Sequence, residues 1–538
     1  MLRRATRLVP RLGAAAAASA AAYNLSTALS ESAPPELGAE LSALSTDGEV
    51  VENWSGTHSA SPSAYFQPET PAAVQRVVDL MGAARRRLRV VGSALSPNGM
   101  GLSDDGMLNM AFCAGVVSVD AERRQVTVQA GARVKEVVEA LRPHGLTLQN
   151  YASIAEQQIG GFVQVGAHGT GAAVPPVDEQ VVRLRLHTPA LGALELSEAS
   201  NPRLFRLAKV GLGALGVVSE VTLQCVPAHK LLQTTFVETR AGVQKRHAEL
   251  LQHKHMRYMW IPHTDTVVVV TLDDAPDGMA PPPQPDEAAA TKELRELLLA
   301  KDTGASAADA AAMNFAQLRD ALIALDPLSK PHIIEVNRAE AAFWAKAGGQ
   351  RIDWSDALLG FECGGQQWVS EVAFPCGTRA APNGNDLAYM SELLEMVEAS
   401  DLPAPAPIEQ RWSARSRAPM SPAHSEGDDD IHSWVGIIMY LPDEATRGAI
   451  TQRFWEYNGM CRERLWSKFG AHQHWAKIEL PDDAAAAAAV RRRLAERFPV
   501  DAFNRARRTL DPHNILANDL VDSLLGDPRE EAYAKRGG

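Results

Sequence analysis

Residues 151–171 read YASIAEQQIGGFVQVGAHGTG and carry five glycines, Gly160, Gly161, Gly166, Gly169 and Gly171, among small hydroxyl and apolar side chains. Glycine lets backbone approach a ligand closely and takes up φ > 0 at no steric cost. A run of turns whose N–H groups point inward can cradle a pyrophosphate without a lysine. The same composition also suits a tight connection between strands. Glycine content alone leaves both readings open.

Residues 90–101, VVGSALSPNGMG, read as a strand running into a small-residue loop: Gly92, Ser93, Ala94, Leu95, Ser96, Pro97, Asn98, Gly99. Together the two stretches resemble the FAD-binding domain of the vanillyl-alcohol oxidase family, and within it the aldonolactone oxidoreductases. The resemblance runs from about residue 53 to about residue 519 and includes LTLQNYASIAEQQIGG, QVGAHGTGA, FECGGQQWVSE, PAPAPIEQRW and HWAKIE. It implies an α+β fold: a two-subdomain FAD-binding domain with an α+β cap. The expected division is a leader and linker over 1–45, an FAD-binding domain over 46–228, a cap over 229–460 and a segment over 461–538 that completes the active site.

The chain has 538 residues, enough for two or more domains with a large core. A net charge of −12 argues against a general nucleic-acid binder, which needs a basic face for phosphates. Arg3, Arg4, Arg7 and Arg11 sit among Ala, Leu and Ser, and no acid precedes Glu31. That is the composition of a mitochondrial transit peptide; the alternative is a secretory signal whose apolar core is the Ala-rich stretch after Gly13. No apolar run approaches the ~20 residues that cross a bilayer. Cys113, Cys225, Cys363, Cys376 and Cys461 are scattered without a CxxC, which excludes the common zinc patterns and a disulfide framework; no metal site is expected. Related enzymes carry a redox-sensitive cysteine in the string that holds Cys363; an inert packed thiol is the other reading.

Helix character is expected over 70–87, 134–141 and 202–209, and strands over 125–131, 181–196 (two, around a turn at 189–192), 216–226, 266–272 and 433–441. Residues 273–312, rich in Ala, Pro and acids, read as a surface insertion, part helix (291–300) and part flexible. Residues 481–498 read as an Ala-rich helix. Gly211, Gly213 and Gly216 spell G-x-G-x-x-G, but a helix-like segment precedes them and a strand follows. A nicotinamide-binding motif needs the reverse order, so the glycines read instead as a turn lining the FAD.

Several departures and matches follow from the resemblance. Many family members attach the flavin through a histidine at the position of Leu95; leucine has no nucleophilic nitrogen, so FAD is expected to be non-covalent. Ala152 stands where family oxidases commonly have glycine, and a methyl beside the flavin can block oxygen, which favours a dehydrogenase. Glu409 and Arg411, spaced i, i+2 on an extended segment, share one face. A lone Glu-x-Arg is usually solvated surface or a salt bridge, but this one matches the family's substrate-binding pair. A carboxylate can accept bonds from sugar hydroxyls, and a guanidinium can stabilise charge on a lactone carbonyl. Lys477 in HWAKIE matches the lysine near the flavin and substrate, though the string also reads as a plain strand. The expected FAD contacts are Gly92, Ser93, Ala94, Leu95, Ser96, Ser153, Gly160, Gly161, Gly166, His168, Gly169, Thr170 and Val218, with His168 structural rather than a base.

The implied reaction is oxidation of L-galactono-1,4-lactone to L-ascorbate, with cytochrome c as acceptor at the mitochondrial inner membrane or intermembrane space. A basic acceptor suits the acidic chain. Association with respiratory complex I assembly intermediates is also implied by relatives. The rival readings are an oxygen-using aldonolactone or alditol oxidase, and a flavin-loaded assembly factor.

Overall fold

The computed structural model describes residues 35–529 except 277, 281, 284 and 361–363. The arginine-rich leader over 1–34 and Cys363 lie outside the described residues.

The chain begins with a small four-stranded sheet in the order Ser45–Thr46, Ala64–Phe66, Gly106–Asn109, Arg89–Val91. Ala64–Phe66 and Arg89–Val91 both run parallel to Gly106–Asn109. Parallel strands need a crossover, and the helix Pro71–Ala83 supplies it. Thr70 caps that helix by accepting from the Ala73 N–H, Pro71 opens it, and Val74, Val77, Val78, Leu80 and Met81 form its buried face. The end of the expected linker over 1–45 instead contributes the helix Pro35–Leu44 and the start of the short strand Ser45–Thr46, paired to Phe66 and Tyr65. Two-residue strands carry no readable period.

A second, antiparallel sheet follows in the order Gly192–Ser197, Val181–Thr188, Val217–Pro227, Gln125–Gln129, Val116–Asp120, with Leu146–Leu148 on the far end of Val217–Pro227. The hairpin at 188–192 closes where Thr188 Oγ1 donates to Gly192 O at 3.0 Å and accepts from the Leu191 N–H at 3.1 Å. Gly192 sits at φ +65, where a side chain would be strained. The helix Pro202–Lys209 precedes the GLGALG turn and the strand Val217–Pro227 follows it, the order opposite to a nicotinamide motif.

The third sheet has eight strands, Gly349–Trp354, Lys230–Thr239, Thr266–Asp274, His255–Trp260, Ile408–Ala414, Asp430–Tyr440, Gln367–Thr378 and His472–Gln473, in that spatial order. Alternation sorts its side chains onto two faces. Tyr258, Trp260, Trp412 and Val372 join a core with Leu250, Tyr389, Leu393, Phe454 and Tyr457 from the helices behind. Arg257, Met259, Glu409, Arg411, Val369 and Glu371 face the opposite way, into a cavity.

Residues 273–312 include the expected helix, at Lys292–Lys301, and a second one, Ala307–Ala312, where a flexible part was expected. Helices Lys292–Lys301, Ala307–Ala312, Phe315–Leu325 and Lys330–Ala347 pack around their own core of Leu294, Leu298, Leu318, Leu322, Ile333 and Phe343. Alanine and acid content pointed to exposure; the leucines every three or four residues supply the buried stripe.

The C-terminal helices Ala484–Arg497, Val500–Leu510 and Asp519–Leu525 lead the chain back to its start. Leu88 N–H donates to Ile515 O at 2.7 Å, and Asn518 Nδ2 donates to Gly99 O at 2.9 Å and Leu102 O at 2.8 Å. The buried Arg89 guanidinium donates to Leu516 O, Met100 O and Leu212 O. Another tie runs between the glycine-rich stretch and the third sheet: Gly171 N–H donates to Trp412 O at 2.8 Å, and Ser416 donates to the fully buried Asp178. Burial and neighbouring Glu179 push the Asp178 carboxyl up to about 6. Cys113, Cys225, Cys376 and Cys461 are buried and free. Burial raises their thiols, Cys113 to about 11 and Cys225 to about 12, which leaves them unreactive.

Candidate active site

A cavity of about 510 Å³ runs between the two N-terminal sheets and the inner face of the eight-stranded sheet. That size falls in the range of ligand sites. Its wall includes Gly92, Ser93, Ala94, Leu95 and Ser96 from the first loop, Ala152, Ser153, Gly160, Gly161 and His168 from the glycine-rich stretch, and Gly213, Gly216 and Val218 from the turn and strand beyond. Gly92 is required by close packing: a Cβ there would lie 2.8 Å from Gln158 Oε1. Gly161 faces open space, with no atom within 4 Å of a Cβ built on it. Gly92, Ser93, Ala94, Ser96, Ala152, Ser153, Gly160 and Gly161 leave room for a large planar cofactor against the backbone, so the residues present fit FAD.

Three expected cofactor contacts lie off this wall. A Cβ on Gly169 would sit 1.9 Å from Asn150 Oδ1 and 2.3 Å from Tyr151 O. Thr170 Oγ1 donates to Met256 O, and Gly166 packs against Val210 and Pro422. These residues knit the stretch together, and their smallness serves packing.

At the cap end the cavity is charged. Glu409 and Arg411 line it from one strand, as their spacing implies, with Arg411 Nε 3.4 Å from Glu409 Oε2. Arg257, opposite Arg411 on the neighbouring strand, places Nη1 3.6 Å from Glu409 Oε1. Arg411 Nη1 reaches toward Ser153 Oγ at 3.5 Å, beside Ala152. Lys477 enters from the turn that follows His472–Gln473; the HWAKIE string is therefore a turn and not a strand. Asn98 builds that turn from across the cavity, donating to Trp475 O at 2.8 Å and Ile478 O at 2.9 Å. His168 is buried, stacked on Trp434 at 3.6 Å between ring centroids. Burial pushes its imidazole below the usual range, with Arg411 and Lys477 adding to the effect against Glu371. Burial and Lys477 likewise push His474 well down.

Sequence reasoning missed Glu371, the residue at the centre of this cluster. It is 3% exposed, and its carboxylate meets Arg411 Nη2 at 2.7 Å, His168 Nε2 at 3.2 Å and the Lys477 ammonium. Burial pushes this carboxyl up, but Lys477, His168 and Arg411 outweigh it and hold it well below the carboxylate range. The available signal was an acid inside the apolar run QWVSEVAF, since buried acids are rare unless paired. Arg257 in HMRYMW carried a similar signal.

A family model described as "FAD binding domain" matches residues 62–196, and one described as "D-arabinono-1,4-lactone oxidase" matches residues 221–524, more than half of the chain. The chain belongs to the aldonolactone oxidoreductases. This aldonolactone oxidoreductase is 50% identical over 500 residues to L-galactono-1,4-lactone dehydrogenase, mitochondrial, of Arabidopsis thaliana, covering 90% of this chain and 82% of that one. It is 29% identical over 485 residues to L-gulonolactone oxidase of Bos taurus, covering 89% and 98% of the two chains. Its fold is similar to cholesterol oxidase from B. sterolicum, with a TM-score of 0.66 at 17% identity over 88% of this chain and 96% of that one. The aldonolactone oxidoreductase is thus an FAD-dependent oxidoreductase of α+β fold. Among its described residues no helix is long and apolar enough to cross a membrane.

Asn98→Ala in this oxidoreductase strips two buried carbonyls of their donor, at about 1–3 kcal/mol for each buried group left unpaired. Thermal melting should fall, and kcat for an aldonolactone should fall with it as the Lys477 turn loosens. Unchanged melting and kcat would show that the turn holds without Asn98.

Proposed function

We propose that the protein oxidises L-galactono-1,4-lactone to L-ascorbate in mitochondria, passing electrons from FAD to cytochrome c. The observation that carries this reading is the convergence of Glu409, Arg411 and Lys477 at one end of a cavity whose other walls suit FAD. Bound FAD supplies the hydride acceptor. Arg411 holds the lactone carbonyl and stabilises the negative charge that develops on its oxygen. Glu409 accepts a hydrogen bond from a ring hydroxyl and fixes the face the lactone presents. Lys477 adds a second positive charge beside the same region, favouring oxyanion character and a reduced, anionic cofactor. His168, neutral and stacked on Trp434, serves as a wall. Leu95 lines the cavity with no nucleophile, which supports non-covalent cofactor binding. Ala152 places a methyl on the wall beside Ser153, which supports exclusion of oxygen. The loss of two electrons and two protons from the lactone gives the conjugated ene-diol, and two one-electron acceptors then clear the cofactor. The arginine-rich leader and the mitochondrial relatives support a location at the inner membrane or intermembrane space.

Anaerobic addition of L-galactono-1,4-lactone should bleach the oxidised-flavin absorbance. Cytochrome c should restore it quickly and oxygen slowly, and Ala152→Gly should speed the oxygen reaction by about tenfold or more, a change of roughly 1.4 kcal/mol or more in barrier. Fast reoxidation of the wild-type protein by oxygen would make it an oxidase. Absence of bleaching with FAD bound would exclude this lactone as substrate.

A further inference from the structure

The cations of the cap end come from separate parts of the chain. Arg411 lies on the strand Ile408–Ala414, and Lys477 lies on a turn sixty-six residues later that the sheet reaches only through the two-residue strand His472–Gln473. Neither position alone fixes the distance between a guanidinium and an ammonium on long, rotamer-rich side chains. Glu371 does. It lies on Gln367–Thr378, the strand against which His472–Gln473 pairs, and its backbone carbonyl accepts the His474 N–H at 2.9 Å. Its side chain spans the gap: Oε1 takes Arg411 Nη2 at 2.7 Å, and Oε2 takes the Lys477 ammonium and His168 Nε2. The carboxylate is almost wholly removed from solvent, so its ion pairs are little screened.

We propose that Glu371 is the positioning residue of this active site, holding Arg411 and Lys477 at a fixed separation and balancing their charge. The inference rests on the lactone-oxidising reading for its kinetic part only. The groups that face Lys477 and Glu371 are His474 on the same turn, Arg411 and Glu409 on the strand Ile408–Ala414, one strand removed from that of Glu371, Arg257 beyond them and His168 from the glycine-rich stretch. Three of these groups, Arg411, Lys477 and Arg257, are cations set against the two carboxylates Glu371 and Glu409. Among the described residues, that leaves one positive charge at this end of the cavity. Replacing Glu371 by a neutral residue leaves two cations facing each other. A half-buried ammonium that has lost its counter-ion and kept a cationic neighbour gives up its proton more readily.

The test is Glu371→Gln, which keeps the shape of the side chain and removes its charge, read in the FAD-loaded enzyme. Competitive acetylation with acetic anhydride, followed by peptide mass spectrometry, reports the nucleophilic, deprotonated fraction of Lys477 without any turnover. At neutral pH the Gln variant should label at Lys477 about tenfold more than wild type. Its kcat for L-galactono-1,4-lactone should fall more than its KM changes, because the cations act on charge that develops in the transition state. The alkaline fall of its kcat/KM should begin at lower pH, and Glu371→Asp should recover part of the rate. Lys477 labelling equal to wild type overturns the proposal even if the rate falls, because a merely structural loss would do that. If the Gln variant does not retain FAD, the Asp variant decides: its shorter reach should lower kcat and raise Lys477 labelling, and wild-type values of both overturn the proposal. Failure of the wild-type enzyme to oxidise the lactone would sink the substrate reading and leave the labelling result to judge Glu371.

Discussion

Arg411→Ala should lower kcat/KM for the lactone by about 10²- to 10³-fold, the range found when one preorganised donor to a developing oxyanion is removed. The guanidinium meets three groups at once: Nη2 with Glu371 at 2.7 Å, Nε near Glu409 at 3.4 Å and Nη1 toward Ser153 at 3.5 Å. Removing it deletes the donor and strands part of a buried carboxylate's compensation. Arg411→Lys should recover little of the loss, because a single ammonium cannot reproduce a planar fork directed at three partners. Steady-state kinetics with bound FAD and melting temperature measured alongside would separate the chemistry from misfolding. An Arg411→Ala enzyme within about tenfold of wild type would mean the lactone is held elsewhere.

The largest structural effect is expected at Gly169. Any side chain there meets Asn150 Oδ1 at 1.9 Å and the Tyr151 carbonyl at 2.3 Å. Asn150 cannot swing away freely, since its Nδ2 donates to Pro175 O at 2.7 Å. Gly169→Ala should therefore cost about 3 kcal/mol, the upper part of the range for overpacking. The strain lies one residue from Ala152 and two from Ser153, so loss of bound FAD should accompany the fall in melting temperature. A yellow, normally melting variant would show that the stretch rearranges at little cost.

Local chemistry made much of the fold legible. The helix Pro71–Ala83 announced itself by Thr70, Pro71 and an apolar stripe, and the hairpin at 188–192 by its Pro and Gly. The Glu409–Arg411 face was legible because period-two alternation fixes which side chains share a side. Lys477 was found through the string around it, while its turn was not. That turn is set by Asn98, 379 residues away from Lys477 in the chain, and no local pattern encodes a contact of that kind. Glu371 was hidden for the same reason: its partners come from three other segments. The helical layer through Phe315, Arg319 and Trp344, which reaches the cavity, lies beyond 273–312 and went unread, because its cavity partners come from segments distant in the chain. The close packing of Gly169 on Asn150 and Tyr151 was not legible, because glycines that admit a ligand and glycines that admit a neighbouring chain look alike in one dimension.

The return of the C-terminal helices to the first sheet has a temporal meaning. Arg89 and the Leu516 carbonyl that satisfies it are 427 residues apart. At about 5–20 residues per second of synthesis, the arginine waits roughly 20 to 90 s for that acceptor. Until then a cation destined for a fully buried position has only part of its hydrogen bonding, and burying it early would be costly. The first sheet therefore completes its buried hydrogen bonding only once the C-terminal helices have docked on it.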